Sequence, residues 1–206
     1  MIGKMTMTGF SDKLRLKEQA EEDIYFARRD RELLEALHRS GKGAVAPRFP
    51  VKVVSGGQTG VDRAALDAAL QRGLEAGGWC PRGRRAEDGR VDARYPLEQT
   101  PSHAYGQRTE WNVRDSDATL ILHRGGISGG TALTARMARQ YGRALLTVDL
   151  ARAPGPEEVR RWVLEHRVRV LNVAGPRESG APGIQVEAEA FLLAVFADAD
   201  AAGSTL

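Results

Sequence analysis

Two short stretches constrain this chain more than any others. Ala118-Thr-Leu-Ile-Leu-His123 and Ala144-Leu-Leu-Thr-Val148 are apolar or β-branched almost throughout, the pattern of strands buried on both faces. Each is followed by a segment with helical periodicity, Thr131 to Tyr141 and Pro156 to His166. The same alternation is present upstream and downstream. Val51 to Ser55 reads as a strand, Asp62 to Arg72 as a helix, Gly77 to Pro81 as a weaker second strand and Tyr105 to Arg114 as a helix. Arg169 to Val173 is the last strand and roughly Ile184 to Ala197 a closing helix. Alternating strands and helices require parallel pairing with right-handed crossovers. The expected fold is therefore α/β, a Rossmann-like three-layer sandwich of about five parallel strands. The expected order is 2-1-3-4-5, counting strands along the chain.

The 206 residues suffice for one such domain and an extension. From Ser11 to Ser40 there is no Gly or Pro, and Glu, Arg, Lys, Leu and Ala dominate, as in an exposed helix. Gly41, Gly43, Pro47 and Pro50 then mark a linker. The domains are thus read as a helical extension and linker over 1–47 and a Rossmann-like ligand-binding domain over 48–206. A hydrophobic fraction of 42% with 28% charged residues is that of a folded globular chain. No apolar run approaches the roughly 20 residues that span a bilayer, and the first ten residues lack a secretory signal's apolar core. A cytoplasmic protein with no membrane partner is expected. The net charge of +3 is too small to point to nucleic acid. Cys80 is the single cysteine, and His38, His103, His123 and His166 are scattered, so no metal site is expected.

Chemistry concentrates in two glycine loops, each between a strand and a helix. The first is Ser55-Gly56-Gly57-Gln58-Thr59-Gly60-Val61-Asp62 and the second is Gly125-Gly126-Ile127-Ser128-Gly129-Gly130-Thr131. Such loops turn backbone N–H groups and a helix dipole toward a ligand, which favours an oxyanion or phosphate. Neither matches G-x-G-x-x-G or a Walker loop, and no acidic residue ends the second strand, which disfavours ordinary NAD binding and P-loop phosphotransfer. Arg82, Arg84, Arg85, Arg90 and Arg94 crowd the segment after the second strand, as in a lid whose guanidinium groups could grip an anion. The ligand-binding set expected is Gly56, Gly57, Gln58, Thr59, Gly60, Asp62, Arg82, Arg84, Arg85, Arg108, Ser128, Gly129, Gly130 and Thr131. If a reaction is catalysed, the candidates are Arg108 and Glu110.

Five segments, in order, carry a family resemblance: Ser55-Gly-Gly-Gln-Thr-Gly-Val-Asp-Arg-Ala-Ala-Leu-Asp-Ala-Ala; Gly78-Trp-Cys-Pro-Arg-Gly-Arg-Arg-Ala-Glu-Asp-Gly; Arg108-Thr-Glu-Trp-Asn-Val with Asp115-Ser-Asp; Gly129-Gly-Thr; and Asn172-Val-Ala-Gly-Pro-Arg-Glu-Ser. Over Val51 to Ala197 the chain resembles the molybdenum carrier family, within a Rossmann-like nucleotide-binding superfamily. The resemblance implies a protein that binds molybdate or a phosphorylated nucleotide, assembled as a homo-oligomer, dimer or tetramer. The superfamily is also similar to the lysine-decarboxylase-like phosphoribohydrolases, which release a base from a nucleoside 5'-monophosphate. Against their pattern, Thr109 stands for the Lys of an Arg-Lys pair and Thr134 for the catalytic Glu. The binding reading therefore leads, the hydrolase is the first alternative, and an interaction protein recruiting a partner through its N-terminal helix is the second.

Overall fold

A computed structural model describes residue 50 and residues 52–197; the expected helix within 1–47 lies outside the described residues. The central sheet has five parallel strands. They are β1 (Lys52–Val54), β2 (Glu75–Gly77), β7 (Ala118–His123), β8 (Ala144–Asp149) and β9 (Val170–Ala174), in the spatial order β2-β1-β9-β7-β8. Among the helices, α5 (Ile184–Val195) packs on both α1 (Val61–Gln71) and α4 (Pro156–Glu165). The second group is α2 (Tyr105–Arg114) against α3 (Gly129–Gln140). The sheet lies between these groups as the middle layer of the expected sandwich. Val53, Leu120, Leu122, Leu171 and Val173 are buried at its centre.

The order differs from 2-1-3-4-5. The last strand of the chain is inserted between the first and the third, giving 2-1-5-3-4 in that counting. Polar groups pin it there. The Asp117 carboxylate accepts from the N–H of Arg169 and Val170 at 3.0 and 2.8 Å, and the Asp117 N–H donates to Val170 O. Asn172, 2% exposed, donates to Thr119 Oγ1 at 3.2 Å, and Ser55 Oγ donates to Val173 O at 2.7 Å. Apolar periodicity carries no information about which strands are neighbours. Counted cyclically from β9, the order becomes 3-2-1-4-5, the start of the doubly wound Rossmann sheet.

The second strand is also shorter than the expected Gly77–Pro81. At Gly78, φ is +121° and the chain leaves the sheet. A Cβ there would lie 2.4 Å from Ser55 O and 2.8 Å from Asn112 Oδ1. Beyond it, β3 (Trp79–Cys80) pairs with β6 (Glu98–Gln99), while β4 (Arg85–Ala86) and β5 (Gly89–Arg90) form a hairpin between them. Asn112 holds β3 in place. Its Oδ1 accepts the Trp79 N–H at 2.8 Å and its Nδ2 donates to Trp79 O at 2.9 Å.

Gly78→Ala combines a left-handed backbone with overpacking against backbone, and should cost about 3 kcal/mol or more. Gly106→Ala, in α2 with open space around the added methyl, should instead gain about 0.5–1 kcal/mol. Urea unfolding of both variants checks the contrast.

Candidate functional site

In an open α/β sheet a ligand binds beyond the carboxyl ends of the strands, at the point where crossovers diverge to opposite faces. With β9 in the centre, that point falls between β9 and β7. The loops that meet there are the second glycine loop and the segment after β9, residues 175–183. The first glycine loop stands one strand further away.

That first loop is closed. Its residues are buried from Ser55 to Asp62, and the protein uses most of its donors. The Gln58 N–H donates to Asp62 Oδ2 at 3.3 Å, and Thr59 N–H to Gln58 Oε1 at 3.0 Å. Gly60 N–H donates to Gln185 Oε1 and Val61 N–H to Pro176 O, both at 3.2 Å. The turn still depends on glycine. At Gly60, φ is +78° and a Cβ would meet Pro176 O at 2.4 Å. At Gly57, φ is +72° and a Cβ would strike Leu97 Cδ1 at 2.5 Å. Gly57 therefore serves the packing of the segment above it.

The arginine-rich segment is clamped onto this loop by acids. Glu87, between β4 and β5, accepts from Thr59 Oγ1, from Ser179 Oγ, and from the Ser179 N–H at 3.2 Å. Its own N–H donates to Gln58 Oε1 at 2.9 Å. Next to it Asp88 forms a two-pronged pair with Arg63, 2.5 and 2.7 Å. The expected arginines divide. Arg84 is committed to the segment's backbone, donating to the carbonyls of Val91, Leu97, Asp92 and Tyr95 at 2.6–3.1 Å. Arg82 and Arg85 are exposed and their side chains have no partner among the described residues.

Arg108 lies over the first loop from α2. Its Nη1 donates to Asp62 Oδ2 at 2.7 Å, with side-chain exposures of 15% and 5%, so the pair is largely desolvated. Gly56 makes room for it, since a Cβ there would lie 1.5 Å from Arg108 Nη1. The buried Arg108 Nε has no hydrogen-bond partner among the described residues. Arg108, Gly56, Asn112, Thr134 and Asn172 surround a cavity of about 10 Å³, near the minimum for one water. Thr134 lines the same cavity as Arg108, and its hydroxyl donates to Gly130 O at 3.0 Å. Glu110 is not brought to this cavity; its Oε1 accepts from Tyr141 Oη at 2.6 Å, at the carboxyl end of α3.

The second loop is open. Gly125 N–H donates to Asp149 Oδ1 at 3.2 Å. From Gly126 to Thr131 no backbone N–H donates to any described residue, and the next donor, Ala132 N–H, reaches Ser128 O. Ser128 stands at the N-cap without a side-chain cap bond. A Cβ on Gly125, Gly126, Gly129 or Gly130 would meet nothing within 4 Å. The helix begins at Gly129, two residues earlier than its periodicity suggests, so two glycines form its first turn. Arg124 ties the loop across the crevice to α5, with Nε on Glu187 at 2.5 Å and Nη1 on Pro182 O at 2.9 Å.

The sequence reading missed Glu87, Ser179, Arg63 and Arg124. Glu87, Ser179 and Arg63 lie inside the segments that carry the family resemblance, which was the available signal. Arg124 lies outside them and had none.

A doubly wound sheet with an open, glycine-lined helix terminus at its switch point defines a Rossmann-like protein. Residues 53–196 match the family described as the circularly permutated YpsA SLOG family, and the chain belongs to it. The description fits the cyclic reading of the strand order. A 1.45 Å crystal structure of a "putative molybdenum carrier protein" from Syntrophus aciditrophicus SB is 44% identical, with a TM-score of 0.68, over 71% of this chain and 95% of that one. A comparison with curated proteins gives no match. Among the described residues no helix is long and apolar enough to cross a membrane.

Arg108→Met should destabilise the protein by about 3–5 kcal/mol, because Asp62 is left buried and unpaired. Adding Asp62→Asn should recover much of that loss, as read by a double-mutant cycle in denaturant. Burial works against the charged form of Glu87, but hydrogen bonds from Ser179 and Thr59, with Arg177 nearby, outweigh it and hold the carboxyl below its usual range. A lowered folded-state pKa stabilises above the unfolded value of about 4.3 and is lost as pH falls through the folded value. The stability gap between wild type and Glu87→Gln should be constant above about pH 5 and shrink below about pH 4.

Proposed function

We propose that this protein binds a small tetrahedral oxyanion group, molybdate or the phosphate of a nucleotide, on the first turn of α3. One observation carries the reading: six consecutive N–H groups, Gly126 to Thr131, have no acceptor among the described residues. They stand at the start of a 12-residue helix, whose dipole adds positive potential. The free hydroxyls of Ser128 and Thr131 add donors. Arg108 already shares its charge with Asp62, so it directs and orders the crevice more than it neutralises. Arg82 and Arg85 are the cations of the expected set that have no partner among the described residues. The molybdenum carrier name of the similar crystal structure supports an oxyanion. The reading includes assembly as a homo-oligomer, which rests on the family resemblance, and a cytoplasmic location, which rests on the first ten residues lacking a secretory signal's apolar core.

Binding is favoured over nucleotide hydrolysis. Thr134 occupies the place of the hydrolase carboxylate, and Glu110 is turned to Tyr141. An oxocarbenium-like transition state would lack its electrostatic partner.

Phosphate, molybdate, sulfate and nucleotides, tested by thermal shift at low salt, should include at least one stabilising anion. At 100 times its Kd the gain is about 2.7 kcal/mol. Gly130→Val should abolish the shift while leaving the ligand-free protein about as stable as wild type, because a Cβ there meets nothing within 4 Å and the branches stand where the anion would sit. Stabilisation by none of these anions at millimolar concentration overturns the reading.

A further inference from the structure

The two edges of the central sheet are built differently. At one edge, β2 is three residues long, its Glu75 pairs with Lys52 at 2.7 Å, and the chain at Pro96 runs beside it: a Cβ on Gly77 would lie 3.7 Å from Pro96 O. At the other edge, β8 is six residues long, and on the side away from β7 its backbone bonds to nothing among the described residues. Edge strands of monomers are usually blunted by short length, by Lys or Pro, or by a bulge. From Ala144 to Val148 there is no charge and no proline, and the register with β7 runs unbroken over all six residues. Such an edge is a template for another strand.

Charge sits only at its two ends. Arg143 precedes the strand; its Nη2 donates to Arg114 O at 2.6 Å, and its buried Nε has no hydrogen-bond partner among the described residues. Asp149 closes the strand. Its Oδ1 accepts from the Gly125 and Ala151 N–H groups, both at 3.2 Å, while its Oδ2 meets the exposed Arg152 at 3.5 Å. Between these ends, Ala144, Leu146 and Val148 pack on the core. Leu145 and Thr147 alternate with them on the other face, half-buried and exposed. A strand with a cation before it, an aliphatic middle and an anion at its end is complementary to its own reverse. Antiparallel pairing of two copies about Leu146 sets Arg143 opposite Asp149 at both ends, and opposite charges facing across a strand pair are favourable. Parallel pairing in register sets like charges side by side.

We propose that β8 is a dimer interface: two copies of this chain join edge to edge and antiparallel, across a twofold axis at Leu146, and their two five-stranded sheets become one. Arg143 pairs with Asp149 of the partner subunit, and Leu145 lies opposite Thr147 of the partner subunit. Backbone hydrogen bonds hold the contact, and the end charges fix its register. This gives the homo-oligomer of the reading above a surface and named residues. The anion site on α3 does not depend on it.

Size-exclusion chromatography with light scattering on the full chain is the test. Thr147→Lys places an edge-blocking cation at the exposed position and should halve the wild-type mass. Thr147→Val keeps an uncharged strand former there and should leave the mass unchanged. Arg143→Glu turns each end pair into two facing carboxylates, and should raise the concentration of half-dissociation about tenfold or more. Hydrogen exchange supplies a second measurement that needs no variant to fold: in the wild-type oligomer the β8 amides should be protected along the whole strand, and dilution to the monomer should release the outward ones while β7 stays protected. A monomeric wild type, an oligomer whose mass Thr147→Lys leaves unchanged, or outward β8 amides that exchange freely in the oligomer overturns the proposal. None of these results bears on the thermal shift with anions, so the two readings fail separately.

Discussion

The polar fastening of β9 into the middle of the sheet is the constraint on which the rest depends. A central strand carrying Asn172 is tolerable only because the side chain finds Thr119, and because the Asp117 carboxylate takes two N–H groups at the strand's entry. Burying such groups without partners would cost about 1–3 kcal/mol each. Once β9 is fixed between β1 and β7, the crossovers diverge between β9 and β7. The switch-point crevice is carried with them, away from β1.

This displacement explains why two loops of similar sequence end in different states. The loop after β1 is covered by the hairpin that carries Glu87 and by the residues after β9. It satisfies its donors within the protein, through Gln58, Asp62, Gln185 and Pro176. The loop after β7 faces the open side of the switch point and keeps its donors free. Glycine does different work in each. At Gly57 and Gly60 it allows left-handed backbone under close packing, and at Gly129 and Gly130 it leaves the helix terminus uncovered.

The Arg108–Asp62 pair joins the two regions. It closes the first loop from above, stands on the bare backbone of Gly56, and leaves Nε directed into a buried space shared with Thr134 of α3. A desolvated ion pair of this kind contributes little net stability. Its retention is better understood as positional, since it holds α2 and the first loop in a fixed relation to the helix that begins at Gly129.

The sequence by itself determined most of the elements and the family. The apolar runs at Ala118–His123 and Ala144–Val148 required a covered parallel sheet, and the two glycine loops were visible as strand-to-helix turns. The five matching segments marked the family. What only the tertiary structure decided was adjacency. Periodicity reports which face of an element is buried but not what lies beside it. The central place of β9, the exit of the chain at Gly78, the commitment of Arg84 to four carbonyls and the turning of Glu110 to Tyr141 are all products of long-range pairing. Which glycine loop stays open followed from the same cause: a backbone donor is free for a ligand only when no distant part of the chain has already taken it.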